Sequence, residues 1–491
     1  MVKSYQKSGH SNGLELLKRI AENGVYYRSN RSEAFVDITI NGTRRSFPVQ
    51  HKQFNDWIIR EAYNNNGEIP TTSQLRDLAN VMAAKATFEA APIYNVWRRV
   101  AEVEGAVYID LCNNAYEVVR VTATDWEVVS NPHVRFQRLD GMRELPRPQK
   151  GGSVADLTDL LNLTHEQDAA ILIAFCVHCL QPQHPYPILV LNGPKGSSKS
   201  TLTRTLIRLL DPNDDELKQF PRSEQDLAIA LEERHLIAFD NVSNITQARS
   251  DMLARIATGG SFSTRKLYTD KDQIRIDLSN PLIMNGIPQF VDQPDLADRC
   301  LFIQLQAISP TKRITEAEYW HRFSEVQPRI FGLLLDGVSS MLANREKITL
   351  GELERMADFH RNAVASETTF WKEGTFYSAI QASKNRWRDD QLSQYPLAKA
   401  IINLANEAKA QSEDCTDWAG WTAWTGTVTA LFKELEYLYE YRDISNVPKN
   451  VEQLGIMIKR LMPILSERGI GIERRRDKTS HRTRGYRIYF L

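Results

Sequence analysis

The sequence predicts a multidomain α/β protein, and three observations support this fold class. Its 491 residues exceed the size at which one hydrophobic core keeps growing, so two to four domains are expected. Hydrophobic residues make up 42% of the chain and charged residues 25%, which supplies packed cores and excludes a disordered or collagen-like protein. From Asp156 onwards, helical patterns alternate with short buried strands, which is typical of an α/β core.

Charge and cysteine content exclude further classes. The 61 basic and 61 acidic residues cancel, so any contact with nucleic acid must come from a local patch. Five cysteines in so long a chain do not make a disulfide framework, and we expect a reducing cytoplasm. The longest apolar stretch, 169–180, is shorter than the roughly 20 residues that a membrane span needs, so no membrane segment is expected.

Residues 1–150 are typical of an α+β module whose role the sequence does not reveal. The dipeptide Asn41-Gly42 joins two strand-like runs and supplies the positive φ angles of a tight hairpin. Helical patterns follow at 51–63 and 72–88, and a β-rich stretch then extends to 129. Prolines and glycines at 146–152 indicate a linker. No catalytic constellation stands out in this module.

A loop rich in glycine and serine lies between an apolar strand at 187–191 and an amphipathic helix. Its backbone N–H groups and the positive end of the helix would hold a β-phosphate. Lys199 would reach the β- and γ-oxygens of ATP, and the Ser200 hydroxyl would coordinate Mg²⁺. Ser198 replaces the glycine usually found before the lysine, and the alternative is a surface turn that binds nothing. The candidate binding residues are Gly193, Pro194, Lys195, Gly196, Ser197, Ser198, Lys199, Ser200 and Thr201.

A second apolar strand, 234–240, ends in a carboxylate about forty residues after this loop. This is the Walker B pattern, in which Asp240 would hold Mg²⁺ through water, close to Ser200. Many such ATPases next carry an acidic residue that polarises the attacking water, but here the residue is Asn241. An amide can position water but cannot accept a proton. The alternative is a strand that ends in a turn-forming Asp-Asn pair.

A further series of motifs lies between 258 and 304. It comprises Gly259-Gly260, an Arg-x-Leu-Tyr segment, Asn285 at the end of an apolar strand, and Arg299 just before another strand. Together with the preceding loop and Asp240, this order resembles the superfamily 3 helicases, which are AAA+ ATPases of viruses, phages and mobile elements. The whole chain is similar to ATP-binding replication proteins of phages and integrated elements. These have an N-terminal module, an AAA+ core, here at 155–310, and a C-terminal winged helix.

The resemblance implies roles for particular residues. Asn285 matches the sensor that contacts the attacking water or the γ-phosphate, and Arg299 matches an arginine finger that acts on the neighbouring subunit's ATP. Lys199, Asp240 and Asn241 complete the implied catalytic set, at the interfaces of a homo-oligomer that is a ring of six. An intrasubunit ion pair of Arg299 with Asp295 or Asp298 is the alternative.

The hairpin that follows Gly260 projects into the central channel in these helicases. The resemblance therefore implies that it grips a single DNA strand through phosphate contact and base stacking. An ordinary solvated hairpin is the alternative. The candidate residues are Arg265, Lys266, Tyr268 and Lys271.

A helical region at 311–412 precedes a C-terminal domain at 415–491. Between 449 and 491 there are eleven Lys and Arg and four acidic residues, a local net charge of +7. Two helices followed by two strands with a basic turn indicate a winged helix that contacts the phosphates of duplex DNA. A docking domain with solvated charges is the alternative. The candidate DNA-binding residues are Lys459, Arg460, Arg474, Arg475, Arg476, Arg482 and Arg484.

Three other features are expected to be structural. The segment 164–167, Thr-His-Glu-Gln, resembles a capping box that opens a helix through Leu180. Cys176, His178 and Cys179 lie on that apolar helix without a second metal-ligand pair, and we expect them to pack in a core. The tryptophans at 418, 421 and 424 could stack on bases, but we expect them to fill the seam between domains.

The sequence thus predicts an oligomeric, ATP-dependent DNA helicase or translocase that serves replication of a phage or mobile element. One alternative is an ATP-switched DNA-binding initiator or loader with weak hydrolysis. Another is a regulatory switch whose partner is recognised by residues 1–150. Translocation polarity, sequence preference and the choice between DNA and RNA stay open.

Overall fold

The computed structural model describes residues 9–89, 92–182, 185–243, 245–265, 273–277, 280–287, 290–291, 293–351, 355–393, 395–413, 424–435, 447–466, 468–476 and 484–491. The chain forms two compact units, Met1–Ile380 and Gln381–Leu491, so the multidomain α/β fold class is confirmed. Among the described helices, none combines the length and the hydropathy that crossing a bilayer requires.

The first part of the larger unit is a four-stranded sheet covered by three helices. The Asn41-Gly42 hairpin is confirmed, with φ angles of 52° and 79° at its two turn residues. The sheet order is β3-β2-β1-β4, and Phe54, Ile58 and Leu78 are buried in the core beneath it. The elements are α1 Gly9–Ala21, β1 Val25–Ser29, β2 Ala34–Ile40, β3 Thr43–Pro48, α2 Lys52–Asn66, α3 Thr72–Phe88 and β4 Ile93–Tyr94.

A second sheet follows, in which consecutive antiparallel strands pair in the order β6-β7-β8-β9. Two short strands, β5 and β10, form a separate parallel pair. These strands correspond to the β-rich stretch that the sequence predicts. Their bounds are β5 Val96–Trp97, β6 Val100–Val103, β7 Ala106–Asp110, β8 Val118–Val121, β9 Trp126–Val129 and β10 Arg135–Phe136.

The central part of this unit contains a four-stranded parallel sheet of order β12-β15-β11-β16. Its strands are nearly continuous apolar runs because both faces are buried. Since all four strands are parallel, their carboxyl ends share one edge of the sheet. The elements are α4 Val154–Thr158, α5 Asp168–Cys179, β11 Ile188–Asn192, α6 Lys199–Leu210, α7 Glu224–Glu233, β12 Ile237–Val242, α8 Gln247–Ala257, β13 Ser261–Arg265, β14 Gln273–Asp277, β15 Leu282–Gly286, α9 Pro294–Ala297 and β16 Cys300–Gln304.

Helix α5 starts without the predicted capping box, so that prediction is wrong. Gln167 already has a helical φ of −63° and caps nothing with its side chain, and the buried Thr164 hydroxyl has no hydrogen-bond partner among the described residues. The chain enters α5 through turns at 165–167, which leave no extended N-cap residue. Cys176, His178 and Cys179 are buried on this helix, as expected.

Long helices complete the larger unit. They are α10 Glu316–Asn344 and α11 Ala357–Glu367, with short 3-10 turns at Pro310–Lys312 and Arg345–Lys347. The next helix, α12 Thr375–Ser393, begins in the larger unit, and its residues from 381 onward belong to the smaller unit.

In its described residues, the smaller unit contains an antiparallel sheet of order β17-β19-β18 and, after the end of α12, three further helices. The two predicted C-terminal strands are present, whereas β17 was not expected, and Trp424 at its start is partly buried against the core. Leu397 and Ile401 of α13 belong to this core, although the sequence grouped them with the preceding helical region. The elements are α13 Pro396–Glu413, β17 Trp424–Thr427, α14 Val428–Glu434, α15 Val451–Ser466, β18 Ile470–Arg476 and β19 Arg484–Phe490.

A fully buried ion pair joins the two halves of the larger unit. Arg99, just before β6, donates through Nε to Asp211 Oδ1 at 2.8 Å, and its other nitrogens donate to main-chain carbonyls of Asp110, Arg143 and Pro212. The second oxygen of Asp211 accepts from the backbone N–H groups of His235 and Leu236 at 3.0 and 3.1 Å. One carboxylate therefore connects the end of α6, the start of β12 and the N-terminal module.

We predict that Arg99→Met lowers the free energy of unfolding by about 3–5 kcal/mol, because it leaves Asp211 buried without its counter-ion. Urea unfolding of the full-length chain measures this. Arg120→Met is the matched control, since Arg120 on β8 forms an exposed pair with Glu127 on β9. The Arg120→Met variant is expected to have the wild-type midpoint of urea unfolding. Equal shifts of the midpoint in both variants would contradict the conclusion that the Arg99–Asp211 pair connects the two halves of the larger unit.

Candidate nucleotide-binding site

The loop 193–198 connects the carboxyl end of β11 to the amino end of α6, and close packing fixes its path. A Cβ atom at Gly193 would lie 2.6 Å from the Leu305 carbonyl oxygen and 2.7 Å from Ser197 Oγ, so only glycine fits there. The segment that follows β16 holds the loop from outside, since Ile308 N donates to the Gly196 carbonyl at 3.0 Å. The turn is therefore built by tertiary contacts and does not depend on its own sequence alone.

Three side chains predicted to bind nucleotide and metal meet at this edge of the sheet. Ser200 Oγ donates to Asp240 Oδ1 at 3.1 Å, which brings together the two residues expected to serve Mg²⁺. Lys199 Nζ donates to the carbonyl oxygens of Gly193 and Pro194 at 2.7 and 2.8 Å. Partial burial lowers the pKa of Lys199, and the charge of Asp240 opposes that shift. An ammonium, a hydroxyl and a carboxylate are thus held within one small area.

Ser198 adopts the backbone conformation that explains why glycine is usual at this position. Its φ is 65°, in the left-handed region, and it makes no side-chain hydrogen bond at the start of α6. Residues with a Cβ atom pay about 1–2 kcal/mol to adopt this conformation. The serine therefore preserves the loop geometry at a cost in strain.

Asp240 and Asn241 lie in an irregularity of β12. The strand pairs with β15 as far as Phe239 opposite Met284, and pairing resumes only at Val242 opposite Gly286. Asn241, with φ of 56°, is exposed within this bulge. The sequence pattern placed Asp240 at the end of the strand, and the structure instead extends the strand by two residues around a bend. Bulges of this kind turn a side chain away from the regular pleat.

Asn285 connects the two sides of the site. It is almost fully buried on β15, between β11 and β12, and its Nδ2 donates to Thr203 Oγ1 at 2.9 Å. Its Oδ1 accepts from the backbone N–H of Asn241 at 3.1 Å. The side chain of Asn285 therefore links α6 to the bulge that carries Asp240.

Arg299 lies at the opposite edge of the sheet. Its carbonyl accepts from Ile188 N, the first residue of β11, five residues before Gly193. Because a strand rises about 3.3 Å per residue, the backbone of Arg299 lies about 16 Å from loop 193–198 of its own chain. The side chain pairs with Asp295 Oδ2 at 2.8 Å, which lowers the pKa of Asp295, and Arg355 contacts the same carboxylate. The intrasubunit pair that the sequence left open is therefore present.

Two residues that the sequence analysis missed also lie at the loop. Asn162 Nδ2 donates to the carbonyls of Gln306 at 2.6 Å and Ser197 at 3.4 Å. Arg313, exposed after the first 3-10 turn, has an Nη2 atom 3.5 Å from the Cβ position of Gly196. Neither belongs to a local motif, and no signal in the sequence places them beside the loop.

Some of the predicted DNA-binding residues have a described position. β13 and β14 form the predicted antiparallel hairpin, with Arg265 opposite Gln273, whereas Lys266, Tyr268 and Lys271 lie outside the described residues. In the smaller unit, the residues of the basic set with a described location are Lys459 and Arg460, exposed on α15, Arg474, exposed on β18, Arg475 and Arg476 on β18, and Arg484 on β19. Arg482 lies outside the described residues.

Two family matches cover most of the chain beyond the N-terminal module. Residues 154–390 match the actinomycete integrative conjugative element replication protein, and residues 397–489 match the AICE RepA C-terminal domain. These parts of the chain are thus similar to replication proteins of an actinomycete conjugative element. The mobile-element setting expected from the sequence is supported, whereas the superfamily 3 assignment stays a prediction. No curated protein sequence matches the chain.

Two solved structures resemble the chain at low sequence identity. The A form of the apo NrS-1 C-terminal region is 12% identical, with 98% of this chain and 99% of that chain covered and a TM-score of 0.42. The SCCmec type IV Cch structure, described as an active helicase, is 11% identical, with 95% and 93% covered and a TM-score of 0.46. At these values, no residue role is transferred from either structure.

We predict that Ser198→Gly raises the free energy of unfolding by roughly 0.5–1 kcal/mol, because relief of the left-handed strain exceeds the added backbone entropy of glycine. Urea unfolding measures the change. Ser32→Gly is the matched comparison, since Ser32 has φ of 64° in an exposed turn of the N-terminal module. A loss of stability at Ser198 with a gain at Ser32 would show that the Ser198 side chain contributes a stabilising contact.

Proposed function

We propose that this chain is an ATP-dependent DNA helicase or translocase that serves replication of a mobile element. The observation that carries the proposal is the 3.1 Å contact between Ser200 and Asp240, beside Lys199 and at the amino end of α6. The first N–H groups of a helix have no intrahelical partner and favour a bound anion. A triphosphate bound there would meet a cation, a metal-binding oxygen pair and free N–H groups together.

The donor set fits Mg-ATP. Ser200 and Asp240 offer hard oxygen ligands, which Mg²⁺ prefers in combination with water and substrate phosphates. Lys199 would move from the carbonyls of Gly193 and Pro194 to the phosphate oxygens, and its ammonium would offset their charge. When bound, Mg²⁺ would neutralise charge that develops between the β- and γ-phosphates.

Hydrolysis at this site would rest on positioning and electrostatics. Phosphoryl transfer demands little covalent chemistry of the protein, and a side-chain amide can orient the attacking water in place of a carboxylate. Asn241, exposed in the bulge next to Asp240, is suited to that task. Asn285 would hold Asn241 at a fixed distance from α6. Loop 193–198, which leads into α6, and the water-orienting Asn241 would then move together.

Arg299 is suited to act on a neighbouring subunit. It is about 16 Å from its own loop, beyond the reach of an arginine side chain, so any contact with a γ-phosphate has to be made in trans. This supports a homo-oligomer, and a ring of six remains the proposal drawn from the family resemblance. In this arrangement, Arg299 must first leave Asp295, with which it pairs within the chain.

The DNA contacts belong to two regions. The β13–β14 hairpin is the candidate for the single strand, and the exposed basic residues of the smaller unit are candidates for duplex phosphates. Phosphate contact of this kind fixes position and carries no sequence preference by itself.

One other function is favoured by a specific observation. The residue after Asp240 is an amide, so proton acceptance from water lacks a carboxylate at that position. An ATP-switched initiator or loader, in which ATP drives assembly and turnover is slow, fits that feature.

We predict that ATP turnover rises with single-stranded DNA and with protein concentration, and that Lys199→Ala and Arg299→Ala each abolish it. An equal mixture of the two variants is expected to recover about a quarter of wild-type turnover, because one interface in four then combines an intact loop with an intact arginine. Steady-state phosphate release measures all of these rates.

Arg355→Ala is the control for this experiment, since Arg355 contacts the same Asp295 carboxylate. It is expected to keep most of the turnover. Loss in Arg299→Ala without recovery in the mixture would assign Arg299 to the intrasubunit ion pair. Negligible turnover in the wild type, with ATP still bound and oligomers still formed, would establish the initiator instead.

We further predict that Thr203→Val lowers kcat about tenfold or more with little change in the Kd for ATP, because it removes the acceptor that orients Asn285. Thr205→Val is a closely matched control. Both threonines are buried on α6, and each donates to the carbonyl four residues earlier, Thr203 to Lys199 and Thr205 to Thr201. The other partner of Thr205 is Tyr319 and not Asn285. Thr203→Ser is expected to restore the rate, and equal losses in both valine variants would indicate a general effect on the helix.

A further inference from the structure

A small cleft on the N-terminal module carries an excess of positive charge. It lies between β3, the segment 110–118 and the segment 132–138, and its volume is about 30 Å³. Among the described residues, the charged ones that line it are Arg44, Arg45, Arg138 and Asp110. The aromatic ring of Tyr116 forms part of the wall.

The acidic side chains near the cleft are already used. Asp110 accepts from Arg138 through both oxygens, at 2.7 and 2.9 Å. Asp37, beside the cleft, accepts from Arg135 at 2.9 Å and from Ser46 at 2.6 Å, and Arg44 is 3.9 Å away from it. Glu117, in the same segment as Asp110, accepts from Asn113 at 2.8 Å and lies 3.6 Å from Arg147, and among the described residues no carboxylate pairs with Arg45.

Arg45 has an incomplete set of partners. Its guanidinium carbon lies 4.3 Å from the centre of the Tyr116 ring, and that of Arg138 lies 3.7 Å from the same centre. Arg45 Nε is buried and has no hydrogen-bond partner among the described residues. Two guanidinium groups are thus held against one ring, and of the two only Arg138 has a carboxylate partner. An anion beside Arg45 would compensate its charge and supply the missing acceptor.

We propose that this cleft binds a phosphate group through Arg45, with Arg44 and Arg138 beside it. A guanidinium matches phosphate because its planar donors form paired hydrogen bonds with two oxygens. At about 30 Å³ the cleft is far smaller than a pocket that encloses a nucleoside, so a phosphate group would enter it and the rest of the ligand would lie outside. A backbone phosphate of nucleic acid meets this condition, and so does a free phosphate group.

The inference concerns the N-terminal module and does not depend on ATP hydrolysis. Its test measures the binding of a labelled single-stranded DNA oligonucleotide to the full chain by anisotropy, without nucleotide and over a range of salt. Arg45→Gln is expected to weaken binding roughly tenfold and to reduce the salt slope by about 0.7, the value for one phosphate of a single strand. Arg76→Gln, which removes an exposed charge on α3 of the same module, is the matched control and is expected to change neither.

A second arm identifies the source of the phosphate. Inorganic phosphate is titrated against the Tm of the wild type, Arg45→Gln and Arg76→Gln. If Arg45→Gln weakens DNA binding and Arg76→Gln does not, the cleft binds a backbone phosphate of DNA. Unchanged DNA binding together with loss of stabilisation by phosphate in Arg45→Gln supports a free phosphate group.

If both readouts of a folded Arg45→Gln equal those of the wild type, the proposal is overturned. If Arg45→Gln fails to fold, Arg45→Lys decides. Lysine keeps the charge but not the planar fork, so the salt slope is expected to persist while the affinity falls. An unchanged affinity in Arg45→Lys would also overturn the proposal.

Discussion

The structure depends on one buried ion pair, Arg99 with Asp211. Asp211 follows the last residue of α6 and accepts from the two backbone N–H groups that precede β12. Arg99 belongs to the N-terminal module and donates to Asp211. Buried charges are tolerated only when every partner is in place, so this network resists partial rearrangement. It connects α6 and β12, the two elements that supply Ser200 and Asp240, to the N-terminal module.

The parallel sheet then separates two kinds of residue. The residues suited to phosphate and metal lie at its carboxyl edge, because loop 193–198, the bulge at Asp240 and the Asn285 side chain all follow or end strands there. Arg299 precedes β16 and lies at the amino edge. Because the strands are parallel, Arg299 lies away from loop 193–198 of its own chain. For the proposed reaction, a neighbouring copy would therefore have to supply the arginine that contacts the γ-phosphate.

Both departures from the expected motifs fall on left-handed backbone. Ser198 and Asn241 have φ angles of 65° and 56°, a region in which glycine has no penalty and asparagine has a smaller penalty than serine. They lie on either side of the Ser200–Asp240 contact, and strain of this kind persists only where the surroundings hold it. The loop is held by Ile308 and Asn162, and the bulge is held by Asn285, so the site keeps its shape without the usual residues.

The sequence by itself determined the elements whose cause is local. The Asn41-Gly42 hairpin, the parallel-sheet strands and the strand–loop–helix unit at 193–201 follow from turn chemistry and hydrophobic period, which act over a few residues. Tertiary structure decided the rest. Asn285 meets Thr203 across 82 positions and Arg99 meets Asp211 across 112, and Arg313 reaches Gly196. Such contacts depend on strand order and packing, which no local pattern encodes, and the absent cap at Thr164 shows that packing also overrides a local signal.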